Sequence, residues 1–554
     1  MKRKGLLFMA LTLILCVLSL CFIACSSDKP CEHQTDDSGF CVSCDEAISP
    51  TVGILYKVSD DETYAEVVGY DGSSTKMNIA STYKNLPVKI ICDRVFYNKK
   101  FTKVIIPDSV TRIGISAFSR CEDLQIVTFG ENSQLEIIHD EAFRNCYSLE
   151  SIQVPSGVIS IGYEAFFYCS SLQSITVAED NNSYKSIDGN LYSKDGKVLI
   201  QYAIGNPATS LTILDTVTTI GTEAFYLSKN LQTVIFGENS QLESIEDQAF
   251  YNCRLQTINL PNTVKNIGNE AFYNCLRLQR IEIPSSVISI GDYAFWSCES
   301  LECNVKDGLN YIGNPDNKYL YLVDRASSYI TSATIDNGCK FIGSSAFWNC
   351  EILESITIPS SVTSIGRGAF DECYSLKTVE IANGVTSIGE RAFWNCSSLE
   401  SIEIPSSVKS IGEWAFRDCD ILKSVTFGAN SKLETIGDEA FRNCPGLETI
   451  EIPYSVTNIG RYAFSGCYNL REVEISSSVQ SIGEKAFSGC YILQSVSFGT
   501  NSKLESIGDD TFYNCPSLYN VTFGGTKAQW NSAIKNTVIG YYRKVVCSDG
   551  TING

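Results

Sequence analysis

One pattern of apolar residues dominates this chain: an Ile, four further residues and a Phe recur sixteen times. Most of these Phe residues follow one another at intervals of 22, 23 or 25 residues. A fixed period in this range is typical of a solenoid, in which short structural units stack in one direction. Because a solenoid exposes long repetitive surfaces, we expect ligand binding rather than catalysis. The Phe landmarks stand at positions 96, 118, 143, 166, 225, 250, 272, 295, 347, 370, 393, 416, 441, 464, 487 and 512.

A single unit, residues 399–419, shows why such repeats need one another. Ile402 and Ile404 alternate with polar residues, as expected for a short strand with one buried face. Pro405 ends this strand because proline lacks a backbone N–H, and Gly412 permits a turn. Stacked units bury the apolar face continuously, with neighbouring strands about 4.8 Å apart. The sequence therefore predicts a mainly β solenoid of about sixteen units of 22–25 residues, built from short strands and turns.

Two intervals between the Phe landmarks are much longer than the others, at 59 and 52 residues. The first contains residues 190–200, two apolar strands around Lys-Asp-Gly that predict a hairpin. The second contains a strand-like run at 319–323. Each insertion is expected to replace one repeat and to protrude as a hairpin. The predicted boundaries are 53–90 for N-terminal cap strands, 91–525 for the repeats with insertions at about 178–215 and 303–338, and 526–554 for a C-terminal cap.

The amino-acid composition argues against some functional classes for this protein. The 554 residues carry a net charge of −20, from 63 acidic and 43 basic side chains. This charge disfavours a nucleic-acid partner, whose phosphates need clusters of Lys and Arg. Only two histidines occur, so the commonest general acid and base is nearly absent. The sequence also contains no Gly-rich phosphate loop, Ser nucleophile elbow or His-Glu-x-x-His motif. We therefore expect no enzymatic activity.

The first residues have the features of an export signal. Basic residues at positions 2–4 precede an apolar run over residues 5–24, as in secretory signals. Residues 22–25, Phe-Ile-Ala-Cys, resemble a bacterial lipobox, with Phe where Leu is commoner. This resemblance implies that residues 1–24 are removed and that Cys25 is lipidated, which would anchor the secreted protein to a membrane. An ordinary signal peptide and a single membrane helix are the alternatives.

A cluster of metal-ligating residue types lies in the tether predicted at residues 25–52. It consists of Cys31, His33, Cys41 and Cys44. Thiolate and imidazole groups are the usual donors of structural zinc, and four of them can form a tetrahedron. The same cysteines could instead form disulfides or remain reduced in a linker. The sequence leaves these alternatives open, and beyond such structural zinc we expect no cofactor.

Cysteine also recurs within the repeats. Fourteen of the sixteen units place a Cys three residues after the Phe, whereas Lys99 and Ser228 occupy the other two positions. A secreted Cys-rich protein usually suggests disulfides. Equivalent cysteines in a parallel stack, however, point the same way, and each sulfur can bond only one neighbour. We therefore expect buried free thiols that act as small apolar plugs.

The residue after the Phe is aromatic in six consecutive units and again later. These residues occupy equivalent positions, so they are expected to form a column along the solenoid. Aromatic columns can stack on sugars or anchor peptides, or they can simply pack one repeat against the next. The candidate binding surface consists of Phe167, Tyr226, Tyr251, Tyr273, Trp296, Trp348 and Trp394.

The repeat has the pattern Leu-x-x-Ile-x-Ile-Pro-x-Ser-Val-x-x-Ile-Gly-x-x-Ala-Phe-x-x-Cys. This pattern resembles the BspA-like, treponemal-type leucine-rich repeat, and the resemblance covers roughly residues 53–550. Members of that family are bacterial surface proteins, and some are implicated in adhesion to host matrix proteins and in coaggregation. The family has no shared catalytic residues. The resemblance implies a leucine-rich repeat lipoprotein for adhesion or recognition, located at the bacterial cell surface or outer envelope. Its expected partner is a host matrix protein, another cell-surface protein or a glycan. A structural envelope or assembly protein and a glycan-binding accessory lipoprotein are the alternatives.

Overall fold

The computed structural model describes residues 34–42, 45–327, 329–534 and 544–553. The chain forms two compact units, one of residues 1–208 with 225–230 and one of residues 209–224 with 231–554. In the described residues of both units, short β-strands are the main secondary structure. The predictions for the signal segment at 1–24 and for Cys25 lie outside the described residues.

The first unit begins with cap strands and continues as repeats that alternate a longer strand with a two-residue strand. The cap strands are β1 (Ile54–Val58), β2 (Ala65–Tyr70), β3 (Lys76–Asn78), β4 (Thr82–Tyr83) and β5 (Leu86–Ile91). The repeat strands are β6 (Lys103–Ile106), β7 (Arg112–Ile113), β8 (Ile126–Phe129), β9 (Ile137–Ile138), β10 (Ser151–Val154), β11 (Ser160–Ile161) and β12 (Ser174–Val177). The longer strands form the ladder β12-β10-β8-β6-β3, and the short strands continue the ladder β1-β2-β5-β7-β9-β11.

The first insertion forms an antiparallel meander of β13 (Tyr184–Ile187), β14 (Asn190–Ser193) and β15 (Val198–Gln201). The predicted hairpin around Lys-Asp-Gly is confirmed as β14 and β15. The expected protrusion is wrong, because Leu191, Tyr192 and Leu199 are buried and the ring of Tyr202 lies 5.1 Å from that of Phe225. The insertion therefore contributes to the core of the unit.

The second unit repeats the same alternation, again interrupted by a meander. Its first strands are β16 (Ser210–Ile213), β17 (Thr219–Ile220), β18 (Thr233–Phe236), β19 (Ser244–Ile245), β20 (Thr257–Asn259), β21 (Asn266–Ile267), β22 (Arg280–Glu282) and β23 (Ser289–Ile290). The second insertion contains β24 (Asn304–Lys306), β25 (Leu309–Ile312) and β26 (Tyr321–Arg325). The longer strands before the insertion form the sheet β16-β18-β20-β22.

The repeats after the second insertion run to the C-terminal cap. Their strands are β27 (Ser332–Thr334), β28 (Phe341–Ile342), β29 (Ser355–Ile358), β30 (Ser364–Ile365), β31 (Thr378–Ile381), β32 (Ser387–Ile388), β33 (Ser401–Ile404), β34 (Ser410–Ile411), β35 (Ser424–Phe427), β36 (Thr435–Ile436), β37 (Thr449–Glu451), β38 (Asn458–Ile459), β39 (Glu472–Ile475), β40 (Ser481–Ile482), β41 (Ser495–Phe498), β42 (Ser506–Ile507) and β43 (Asn520–Phe523). The short strands form one ladder from β26 through β28 and the even-numbered strands to β42.

A helix and a hairpin follow the last repeat: α1 (Lys527–Ile534), β44 (Lys544–Cys547) and β45 (Gly550–Asn553). The strand β44 pairs in parallel with β43 and antiparallel with β45. Trp530 of α1 is fully buried and packs edge-on against Phe498 and Phe523. The helix thus covers the apolar side chains at the end of the array.

The repeat over residues 399–419 has the strand predicted from its pattern. Ile402 and Ile404 of β33 are buried, and the strand ends immediately before Pro405. Each residue of β33 pairs in parallel with its equivalent in β35, one repeat later. Burial of the alternating side chains against both neighbours therefore stabilises the stack.

Gly412 is needed for a different reason from the turn that was predicted. A Cβ atom at this position would lie 2.5 Å from the backbone nitrogen of Glu390 and 2.6 Å from the carbonyl carbon of Gly389, both in the preceding repeat. Such separations are far shorter than a normal contact of about 3.5 Å. Close approach of neighbouring backbones, rather than a positive φ, therefore selects glycine here.

Each turn after a short strand contains two left-handed residues, two positions before and two positions after the Phe. In one repeat these are Trp414, with φ of 57°, and Asp418, with φ of 60°. A left-handed residue other than glycine costs roughly 1 kcal/mol. The Trp414 and Asp418 N–H groups both donate to carbonyl groups of the next repeat, at 2.9 Å. Bonds between repeats therefore offset the local strain.

Phe rings and cysteine thiols fill the interior opposite the strands. In the second unit, Phe393 stacks on Phe416 with ring centres 5.2 Å apart. The thiol of Cys419 donates to the carbonyl oxygen of Phe393, one repeat earlier, at 3.3 Å. The cysteines in this type of contact are buried or half-buried free thiols, as predicted, and burial raises the pKa of Cys121 to about 12. The same contact is made by Cys121, Cys146, Cys169, Cys275, Cys298, Cys373, Cys396, Cys444, Cys467, Cys490 and Cys515.

Candidate functional site

The turn around each Phe fixes the backbone conformation of the aromatic residue that follows the Phe. The Tyr273 N–H donates to the Glu270 carbonyl at 3.0 Å, and the Trp348 N–H donates to the Ser345 carbonyl at 2.9 Å. These bonds span three residues, so each aromatic residue starts from the same turn geometry. The side chains of the predicted column are therefore presented on the turn side of the array.

Aromatic residues of the column pack tightly both between consecutive repeats and across the first insertion. The rings of Tyr251 and Tyr273 lie 4.9 Å apart and are inclined by only 2°. In the first unit, the rings of Phe167 and Tyr226 lie 4.5 Å apart, and the guanidinium of Arg144 lies 4.9 Å from the Phe167 ring. At these positions the aromatic residues pack against neighbouring repeats.

The second insertion interrupts the stacking of the second unit. Its meander is part of the array, because β26 pairs in parallel with β28 and Tyr311 and Leu322 are buried. The expected protrusion is therefore wrong for this insertion as well. Phe295 meets Tyr321 of the insertion edge-on, at an interplanar angle of 73°. The Phe rings before and after this point stack nearly parallel, as at Phe272 with Phe295.

A polar bridge joins the repeats on either side of this insertion. The carboxylate of Asp292 accepts hydrogen bonds from the Ser344 hydroxyl at 2.9 Å and from the Arg367 N–H at 3.1 Å. The Ser344 hydroxyl in turn accepts a bond from the Tyr293 N–H at 3.1 Å. Residues about 50 to 75 positions apart in sequence are thus held side by side.

A groove of about 430 Å³ opens on the turn side at this interruption, and we call it the aromatic groove. Four residues of the predicted column line it, together with a tyrosine, two acidic residues, an arginine and a serine that the pattern did not single out. The lining residues are Tyr251, Tyr273, Trp296 and Trp348 of the column, with Glu270, Tyr293, Ser345, Asp371 and Arg391. The structure therefore brings predicted residues from four repeats to one site.

Asp371 is the most unusual residue of the aromatic groove. It occupies the column position between Trp348 and Trp394, yet it is only 6% exposed. Arg391 forms an ion pair with its Oδ2 at 3.3 Å. Neither Asp371 Oδ1 nor Arg391 Nε has a hydrogen-bond partner within the described part of the chain. Burial raises the pKa of Asp371 to about 7, although the Arg391 charge opposes this shift.

Glu270 and Arg391 make further contacts within their own part of the array. Glu270 accepts a hydrogen bond from Gln248 Nε2 at 2.8 Å. Arg391 also lies over the Trp394 ring, at 4.0 Å from its centre, and the Trp394 indole N–H donates to Asp418 at 2.9 Å. Trp394 is thus a packing residue that supports Arg391, whereas Trp348 is 47% exposed in the groove.

Other grooves lie on the strand sides of the second unit. One of about 390 Å³ is beside β22, β24 and β25, and one of about 640 Å³ is beside β23, β28 and β30. Both flank the second insertion. A further groove of about 850 Å³ adjoins β35 and β37 and contains none of the predicted aromatic residues. Several of the grooves of the second unit therefore lie beside the second insertion.

Three of the four residues of the predicted zinc cluster lie outside the described part of the chain. Cys31, His33 and Cys44 are not described, whereas Cys41 is buried and forms an antiparallel bridge with Thr35. Within the ranges that the structure describes, no three His, Cys, Asp or Glu side chains are grouped as metal ligands. Zinc at this cluster remains a prediction. A search of the same ranges for an apolar helix of membrane-spanning length finds none.

Comparison with known proteins identifies the repeat. A family model described as BspA type leucine-rich repeat region matches residues 89–197, 202–319, 325–433 and 427–537. No curated protein matches the chain. Solved structures similar to it include a leucine-rich cell surface protein from Faecalibacterium prausnitzii, which is 24% identical over 93% of this chain and 100% of its own, with a TM-score of 0.31.

Two further structures are similar at comparable levels. A leucine-rich repeat protein from Bacteroides ovatus is 23% identical over 90% of this chain and 99% of its own, with a TM-score of 0.32. The pneumococcal vaccine antigen PcpA is 17% identical over 89% of this chain and 97% of its own, with a TM-score of 0.25. At these TM-scores the likenesses carry no argument about function. The family model, however, covers most of the sequence, and the chain therefore belongs to the BspA-type leucine-rich repeat family.

Proposed function

We propose that this protein is a bacterial cell-surface recognition protein that binds an extracellular protein or glycan and catalyses no reaction. The observation that carries the proposal is the aromatic groove, where four predicted column residues from separate repeats line one concave site. Aromatic side chains supply large contact areas with little loss of conformational freedom, and they dominate the energetics of many binding sites. The family of the repeat is compatible with this role.

Binding fits the chemistry of the groove better than catalysis does. Among the described residues that line it, none is a histidine or a cysteine. The carboxylate of Asp371 is paired with Arg391, and that of Glu270 is hydrogen-bonded to Gln248. General acid-base catalysis needs a group that is free to exchange a proton with a substrate. The lining residues are instead arranged for contact and hydrogen bonding.

The proposed location rests on the N-terminal sequence. A lipid on Cys25 would hold the mature protein at the envelope, and the stretch before the cap strands would act as a tether. The array would then be displayed away from the membrane, with the aromatic groove open to external ligands.

Binding of the mature protein to arrays of host matrix proteins and glycans tests this proposal. We expect at least one specific ligand whose binding is lost in Trp348→Ala. Tyr468→Ala is the matched control, because Tyr468 is 43% exposed and stacks on Tyr491, away from the groove. Absence of any ligand on both arrays, combined with binding to isolated bacterial envelopes, would favour the structural alternative instead.

A further inference from the structure

We propose that the aromatic groove binds a neutral saccharide unit of a glycan, with Trp348 as the stacking platform and with Asp371 and Arg391 as the hydroxyl-binding pair. This inference rests on the proposed recognition function and names the ligand class of the same site. Three observations support it: the hydrogen-bonding needs of the paired residues, the balance of charge, and the exposed indole.

The polar pair calls for a ligand that both donates and accepts hydrogen bonds. Asp371 Oδ1 is an acceptor without a donor, and Arg391 Nε is a donor without an acceptor, among the residues described. Buried polar groups in native proteins nearly always have partners, so this unfilled pair indicates a missing ligand group or water. A sugar hydroxyl donates one bond and accepts others. Adjacent hydroxyls could serve both residues after a small shift of the two side chains, because both unpartnered atoms are buried in this conformation.

Ligands with only one hydrogen-bonding capacity fit this pair less well. An ammonium group only donates, so it could serve Asp371 but would face the guanidinium of Arg391, which lies 3.3 Å from the same carboxylate. A phosphate or a carboxylate only accepts when ionised, so it could serve Arg391 but would be repelled by Asp371 and Glu270. The two carboxylates therefore disfavour an anion, the guanidinium disfavours a cation beside Asp371, and an uncharged ligand fits best.

The apolar part of the groove suits the weakly polar face of a sugar ring. Trp348 is 47% exposed in a site that four further aromatic residues line. Aromatic side chains combine an apolar face with a polar edge, which allows them to cover the C–H groups of a pyranose. The volume of about 430 Å³ falls within the range of about 300–1,000 Å³ that is usual for small-molecule sites.

Titration of the mature protein with neutral oligosaccharides of glucose, galactose, mannose and N-acetylglucosamine tests the inference. Trp fluorescence and calorimetry should detect binding of at least one of them. We expect Trp348→Ala and Asp371→Ala each to weaken binding by about tenfold or more, which corresponds to about 1.4 kcal/mol. Asp371→Asn keeps an acceptor oxygen in place and should remain within about threefold of the parent protein. Tyr468→Ala should bind normally.

The outcomes separate this inference from the proposed function. If no neutral oligosaccharide binds but a matrix protein or a lysine-rich peptide binds in a Trp348-dependent manner, recognition stands and the saccharide inference is wrong. If an oligosaccharide binds equally well to Trp348→Ala and Asp371→Ala, the groove is not its site and the inference is again wrong. If no array component binds at all, both proposals fail. Circular dichroism of each variant shows whether it is folded.

Discussion

Replacing Ser228 by cysteine should stabilise the protein. Ser228 occupies the position that is cysteine in fourteen of the sixteen repeats, and it is completely buried. Its hydroxyl has no hydrogen-bond partner among the described residues. In the regular repeats, the thiol at this position donates to the carbonyl of the stacked aromatic residue one repeat earlier. The equivalent residue here is Tyr202, whose ring lies 5.1 Å from that of Phe225.

The size of the effect follows from the cost of a buried hydroxyl. An unsatisfied polar group costs about 1–3 kcal/mol, whereas a thiol is only weakly polar and is readily buried. A thiol at this position is expected to donate to the Tyr202 carbonyl, as the thiol of Cys419 does to that of Phe393. The Tyr202 carbonyl already accepts a bond from Gln201 Nε2 at 3.1 Å, but it has a second lone pair. We expect Ser228→Cys to raise the free energy of unfolding by about 1–2 kcal/mol.

Hydrogen exchange measured by mass spectrometry on peptides around Ser228 is the most suitable assay. Long repeat arrays do not always unfold in a single step, so a local measurement is safer than one global transition. Cys419→Ser is the matched reverse change, because Cys419 is also completely buried and its thiol donates to Phe393. It should lower local protection by a similar amount. Faster exchange in Ser228→Cys, or no change in Cys419→Ser, would contradict this reasoning.

Other consequences of the structure can be tested independently. Gly412→Ala should lower the free energy of unfolding in urea by about 1–3 kcal/mol, because its Cβ would meet the backbone of Glu390, and an unchanged midpoint would contradict this close approach. Since burial raises the pKa of Asp371 to about 7, despite Arg391, the folded state binds this proton more tightly than the unfolded state. Stability should therefore fall as the pH rises from about 4 to about 7 and then level off, and Asp371→Asn should reduce this dependence in thermal unfolding. The buried thiols should resist iodoacetamide at pH 8 and react fully in denaturant, and a denatured thiol count near zero would indicate disulfides instead. Cys25→Ser should release the protein from membranes in cell fractionation, and unchanged retention would exclude the lipid anchor.

The regular part of the fold is predictable because each repeat contains its own local signals. Alternation at Ile402 and Ile404 identifies a strand, and Pro405 marks its end; the structure confirms both. Repetition then removes much of the ambiguity of any single segment, since the same signals return at a constant interval. The burial of the repeat thiols follows from the same regularity.

The backbone conformation of the turns is harder to predict from the sequence than the strands are. The left-handed position two residues after the Phe is marked by frequent asparagine, as at Asn145, Asn252 and Asn395, which tolerate positive φ. The other left-handed position carries residues such as Glu164 and Trp414, which give no such signal. Their conformation depends on hydrogen bonds to the next repeat, and it is therefore visible only once the repeats are stacked.

The aromatic groove could be predicted only in part. The column pattern identified Tyr251, Tyr273, Trp296 and Trp348, since they share one position in successive repeats. Tyr293, Glu270 and Arg391 come from another position of the turn, and only the folded arrangement places them beside the column. The sequence of the second insertion predicts a hairpin. Its incorporation into the ladder depends on the parallel pairing of β26 with β28, and no local sequence pattern encodes that contact.

The position of the groove follows from the geometry of stacking itself. A flat ligand held between two aromatic rings needs about 3.5 Å on each side, and hence about 7 Å between the rings. Uninterrupted repeats hold Tyr251 and Tyr273 only 4.9 Å apart, so no ligand can enter between them. An insertion alone does not open this spacing, since Phe167 and Tyr226 flank the first insertion and still lie 4.5 Å apart. Beside Trp348 two features combine: the second insertion precedes it, and Asp371 takes the column position in the next repeat. In this protein the repeats therefore supply the aromatic residues, and the second insertion together with Asp371 leaves the Trp348 side chain accessible.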